Sequence, residues 1–181
     1  MEAVGRQGAV GPECDQVHGG QAVACDIEGL DVHADQVADL LAAIEADAVA
    51  LGLRTYAMLC PLLPGIANSP EDVDELVRQA VEFHAEEIFV EPVNARAAGL
   101  RLCQEALSSQ GYQEEAAAIG RIRDTVNWSQ YVVDLLATVQ RSVRKHSEVS
   151  KLRFLLYPSR LLPEHIEAIR KHDAGVIWLG R

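Results

Sequence analysis

The chain has 181 residues and 19.7 kDa, 49% hydrophobic and 24% charged, the size and composition of one ordinary globular domain. No apolar run approaches the ~20 residues of a membrane span, and Met1-Glu2 lacks the basic start of a secretory signal, so a cytoplasmic protein without a membrane partner is expected. A formal charge of −11 with pI ≈ 4.9 argues against a chain that grips nucleic acid over its whole surface.

That total hides an asymmetry. Residues 1–50 carry ten acids and one base, whereas from Arg121 onward eleven bases face six acids and leave a basic C-terminal part. Residues 1–34 show neither a two-residue nor a 3.6-residue apolar period and are interrupted by Gly5, Gly8, Gly11-Pro12 and Gly19-Gly20. They read as an irregular segment, disordered or carrying a shifted reading frame, ahead of one domain over residues 35–181. Cys14, Cys25, Cys60 and Cys103 include no CxxC pair, which argues against a disulfide scaffold. Cys14, His18, Cys25 and His33 could be taken as zinc ligands, but their spacing fits no established finger.

Val37, Leu40, Leu41, Ile44, Ala48 and Leu51 recur at helical spacing, with Gly52 as the C-terminal cap. Arg54–Cys60 is a short apolar run that reads as a buried strand, ended by Pro61, Pro64 and Gly65. Ser69-Pro70-Glu71-Asp72 combines an N-cap hydroxyl, proline at the first helical position and acids where the helix dipole favours them, predicting a helix to about His84. A second strand follows at Glu87–Pro92. Helices are expected over 98–110, over 116–126 and from about Ser129 to Val143. A third strand, Lys151–Tyr157, a helix, Pro163–His172, and a fourth strand, Val176–Leu179, close the chain. Strand and helix alternate, so the four strands are expected as parallel neighbours in an α/β fold.

In parallel α/β folds ligands gather at the carboxyl ends of the strands. Here those ends are Cys60–Gly65, Glu91–Arg96, Tyr157–Arg160 and Gly180-Arg181. Glu91 interrupts an apolar strand, and burying it alone would cost several kcal/mol. It therefore either faces a polar pocket completed by Asn94 and Arg96, or pairs with Arg54 or Arg96 as a structural ion pair. Cys60 reads as a small core residue sooner than as a nucleophile or radical donor. His84, His146, His165 and His172 lie near helix ends without metal-ligand spacing. Trp128–Tyr131 reads as a helix start with an aromatic staple. No GxGxxG, Walker loop, GxSxG or HExxH occurs.

The runs Thr55–Ser69, Ile88–Asn94, Phe154–Leu161 and Val176–Gly180 resemble the later half of a radical S-adenosylmethionine (SAM) barrel, closest to the DNA repair photolyase and spore photoproduct lyase group. The resemblance covers about residues 36–181. It implies a partial (β/α) TIM-like barrel, with Pro64, Gly65, Glu91 and Asn94 beside the cofactor. For the complete parent protein it implies SAM, a [4Fe-4S] cluster and a 5′-deoxyadenosyl radical that abstracts hydrogen from a substrate, a damaged nucleobase among the candidates. Nucleic acid enters as a partner by resemblance alone. The CxxxCxxC loop that binds the cluster is absent, so no cluster and no turnover are expected of this chain by itself. The expected partner is a missing N-terminal barrel half or a second copy. Two rival readings stay open: a non-catalytic α/β binding module, and a metal-independent barrel enzyme with Glu91 as general base.

Overall fold

The computed structural model describes residues 43, 44, 47, 48, 50–94 and 97–180. The irregular N-terminal segment, the zinc-ligand reading of Cys14, His18, Cys25 and His33, the first half of the Val37–Leu51 helix, Arg96 and Arg181 lie outside them. The described end of that first helix closes as expected. Gly52 takes φ 68°, and Leu53 N–H donates to Ala48 O across it at 2.9 Å, a left-handed C-terminal cap.

The described elements run β1 (Tyr56–Leu62), α1 (Pro70–Glu82), β2 (Glu87–Pro92), α2 (Ala97–Ser109), α3 (Gln113–Arg121), α4 (Thr125–His146), β3 (Leu152–Leu156), α5 (Pro163–Lys171) and β4 (Val176–Trp178). Short 3-10 turns, Val149–Lys151 and Pro158–Arg160, flank β3. The four strands form one parallel sheet in the order β1-β2-β3-β4, as the alternation of strand and helix predicts. In register, Ala57 stands beside Ile88, Ile88 beside Leu152, and Phe154 beside Val176.

That register separates two faces. Ile88, Val90, Leu152, Phe154 and Leu156 are fully buried in one core with Val73 and Val77 of α1 and Val132, Val139 and Val143 of α4. The alternate residues Tyr56, Met58, Glu87, Phe89, Glu91, Arg153, Leu155 and Ile177 are half-buried or exposed. The helices therefore lie on one side of the sheet, as right-handed crossovers require when each new strand is added on the same side of the last.

Local chemistry explains the boundaries. Ser69 Oγ accepts from Asp72 N–H at 3.0 Å to start α1, with Pro70 at its first position. The helix ends two residues earlier than expected: Phe83 is its cap, and His84 takes the left-handed position at φ 57°. β1 begins at Tyr56 and runs through Pro61 to Leu62, past the expected end at Cys60. The predicted helices over 116–126 and from Ser129 are displaced: α3 covers Gln113–Arg121, and α4 starts at Thr125. Asp124 is the reason. Its carboxylate accepts from the N–H groups of Val126 and Asn127, so the new helix starts there without any glycine or proline break. Gly175 is required by space as well as backbone, since at φ 79° a Cβ would stand 2.7 Å from Leu152 Cβ.

α1 is clamped to α4 through Asp74, which accepts from Lys145 Nζ at 2.6 Å and Ser142 Oγ at 3.2 Å and lies 3.0 Å from His146 Nε2. The Lys145 ammonium above all, with His146 and Ser142, holds the Asp74 carboxyl below the usual carboxylate range, against a smaller opposing effect of burial. A carboxyl lowered in the folded state stabilises the fold above its unfolded value of about 3.9, and this contribution is lost as pH falls through the lowered value. Asp74→Asn is thus expected to lower the melting temperature at neutral pH and to flatten its decline below about pH 4. Thermal melts across an acid pH series check this; parallel acid limbs for the two proteins would count against the clamp.

Candidate functional site

The carboxyl ends of β1 and β2 are held together by a short network. Val93 N–H donates to Leu62 O at 3.2 Å, and the buried Tyr131 hydroxyl donates to the same carbonyl at 2.6 Å. Trp128 Nε1, also buried, donates to Val93 O at 3.2 Å. Both aromatics stand on the first turns of α4, at a helix start as expected, and their polar tips satisfy carbonyls at the strand ends. Burial pushes the Tyr131 phenol above its usual range.

Between these two aromatics, next to Trp128 in the chain, Ser129 is fully buried. Its Oγ accepts from Leu162 N–H at 2.9 Å and lies 2.7 Å from His165 Nδ1. His165 thus sits in the first turn of α5, near a helix end as expected, with its ring hydrogen-bonded to Ser129. His146, in the last turn of α4, likewise lies near a helix end.

Glu91 is half-buried near the end of β2, on the face away from the helices. Its rival role as a partner of Arg54 is corrected, because Arg54 Nε pairs with Glu86 at 2.5 Å on the surface. With Asn94, Trp128, Tyr157, Ser159 and Arg160 it lines a notch of about 30 Å³. Arg160 packs over the Trp128 ring, 5.5 Å from its centre, and donates to Arg123 O at 3.1 Å. Trp128, Tyr157, Ser159 and Arg160 were not singled out as site residues by the sequence. The signal was present in Tyr157–Arg160 as a strand end; the approach of Trp128 depends on the start of α4.

Pro64 and Gly65 stand elsewhere. They line a separate hollow with Asn68, Arg121, Asn127 and Tyr131, where Asn68 Oδ1 accepts from Gly65 N–H at 2.7 Å. Tyr131 forms part of the wall between that hollow and the strand ends. Glu91 and Asn94 share one site, and the proline-glycine turn is its neighbour. Cys60 lies beside Glu91: its Sγ is 3.8 Å from Phe89 O, and burial first, then the Glu91 charge, pushes the thiol up from its ordinary value.

Among the described residues no group of three or more His, Cys, Asp or Glu side chains converges as a metal ion would need. Nor is any helix among them long and apolar enough to cross a membrane. The chain matches no family model, no curated protein and no solved structure.

Two measurements check this geometry. Tyr131→Phe leaves a buried carbonyl with one donor fewer and is expected to cost about 1–2 kcal/mol in urea unfolding with unchanged circular dichroism. Glu91→Gln is expected to speed alkylation of Cys60 by iodoacetamide about threefold at pH 8, by removing a charge that disfavours the thiolate. Peptide mapping reads the rate at Cys60, and an unchanged rate would separate the two side chains.

Proposed function

We propose that this chain is the later portion of a radical SAM barrel: a partial (β/α) barrel that provides the wall facing cofactor and substrate. The observation that carries the reading is Glu91, a carboxylate at the carboxyl end of an apolar strand, on the sheet face the helices leave open and beside the notch of Asn94, Tyr157, Ser159 and Arg160. Two features support it further. The strands advance in one direction with their helices on one side, as the wall of a barrel must. The runs around Glu91 and Tyr157 are those that resemble the family.

The donor set suits the amino-acid end of SAM. Glu91 accepts from an ammonium group, Ser159 and Arg160 meet a carboxylate, and Trp128 and Tyr157 offer flat apolar surface. A notch of about 30 Å³ takes one functional group, so the rest of such a ligand rests on the open face. In a complete parent protein, SAM would supply hydrogen abstraction after one-electron reductive cleavage. The [4Fe-4S] cluster does not fit the described residues, whose cysteines Cys60 and Cys103 belong to separate strand-helix units, and no step is assigned to it here.

Calorimetric titration of the purified chain with SAM and with S-adenosylhomocysteine tests the reading. Binding of both is expected, weakened at least about tenfold in Glu91→Gln. Equal affinity in the variant, or no heat at millimolar ligand, overturns the assignment. A stoichiometric cluster after anaerobic reconstitution with iron and sulfide would overturn the partial-barrel reading.

A further inference from the structure

Two features of the sheet extend beyond the strand-end notch. The open face is apolar through its middle: Tyr56 and Met58 are 45% and 62% exposed, with Phe89, Leu155 and Ile177 half-buried beside them. Of the charges on it, Glu87 and Arg153 pair with each other across β2 and β3, and Glu91 stands near the carboxyl rim. The second feature is a groove of about 320 Å³ along β1, lined by Ala57 and Leu59 from the helix-covered side, Tyr56 and Met58 from the open side, and Leu76 and Phe83 at α1. Ile44 of the helix that ends at Gly52 also lines it, and β1 beneath it is a lateral strand of the sheet among the described residues.

We propose that two copies of this chain close into one eight-stranded (β/α) barrel, with β1 of each copy parallel to and beside β4 of the other. The inference rests on the barrel part of the reading above and is independent of SAM. Among the described residues β1 and β4 are the two lateral strands of the sheet, and all four strands point the same way. A two-fold axis along the barrel then brings β4 of each copy beside β1 of its mate in parallel, and no edge is left. Pairing β1 with β1 would be antiparallel and would leave both β4 edges open.

The arithmetic and the charge agree. Two four-stranded halves make eight strands, the number at which side chains just fill a barrel interior. On the interior face Glu87 is already matched by Arg153, and Glu91 of each copy lies near the carboxyl rim. Residues 51–181 carry 17 acids and 15 bases, so these parts of the two copies repel each other little. The helix that ends at Gly52 leads directly into β1, and its Ile44 already lines the groove, so the outer side of the new seam has its own helix.

Sedimentation equilibrium and a cross-linking pair test the proposal. The chain is expected to be dimeric at micromolar concentration. Met58→Asp and Ile177→Asp, which place a charge in the interior, should each weaken the dimer at least about a hundredfold, and Leu102→Asp on exposed α2 should not. Circular dichroism shows whether each variant is folded. In a background with all four cysteines changed to serine, Met58→Cys and Ile177→Cys chains should form a disulfide when mixed and not when either is oxidised alone. A folded monomer at about 100 µM, cross-linking of Met58→Cys with itself, or assembly only with a different protein overturns the proposal. Failure of SAM to bind leaves these outcomes unchanged, so the two readings fall separately.

Discussion

Helix α4 is the element on which the other parts depend. It is long, Thr125–His146, and its buried face carries polar groups as well as valine and leucine. Tyr131 and Trp128 satisfy carbonyls at the ends of β1 and β2, Ser129 holds the start of α5, and Gln140 Nε2 donates to the carbonyls of His172 and Ala174 just before β4 at 2.8 and 2.9 Å. These hydrogen bonds lie at intervals along one helix, so each fixes a different strand connection. Among the described residues no buried side-chain nitrogen or oxygen lacks a partner. The polar groups thus specify register without the penalty that an unpaired buried donor would bring.

A helix with this much polar anchoring can be matched to only one face of the sheet. Val132, Val139 and Val143 face Ile88, Val90 and Phe154, and the alternate strand residues face away. The result is a sheet with two kinds of apolar surface, one closed and one half-covered. Burial of the first drives folding at roughly 25 cal/mol per Å² of apolar area. The second keeps its apolar residues beside water, with Glu87 and Arg153 paired among them and Glu91 near the carboxyl rim.

Much of this was legible in the sequence. Ser69-Pro70-Glu71-Asp72 marks its helix because capping is local chemistry, and the βα alternation fixes parallel strands because a short connection cannot bring a parallel strand back. The start of α4 was misjudged because Asp124 breaks the helical pattern with a side chain alone, and apolar periodicity continues across it. Glu91 was legible as a carboxylate in an apolar strand. Its separation from Arg54 was not, since Glu86, one residue before β2, lies closer to Arg54 in space. The notch partners Trp128 and Arg160 come from elements far apart in sequence, which periodicity along one segment cannot bring together.

The open face and the strand-end notch are continuous through Leu155 and Glu91, and this links binding to association. Leu155 touches the notch on one side and stands in register with Ile177 of the lateral strand on the other. A ligand held by Glu91 and resting on that face meets the residues that a neighbouring copy covers. If it contacts both copies it binds the closed form more tightly and stabilises it by mass action; if it fills the space a neighbour needs, it opposes closure by the same thermodynamic rule. The position of Glu91 near the carboxyl rim, above the Met58 and Phe89 layer, favours the first arrangement. A rim ligand then sits over a filled interior, as ligands do at the carboxyl mouth of closed barrels.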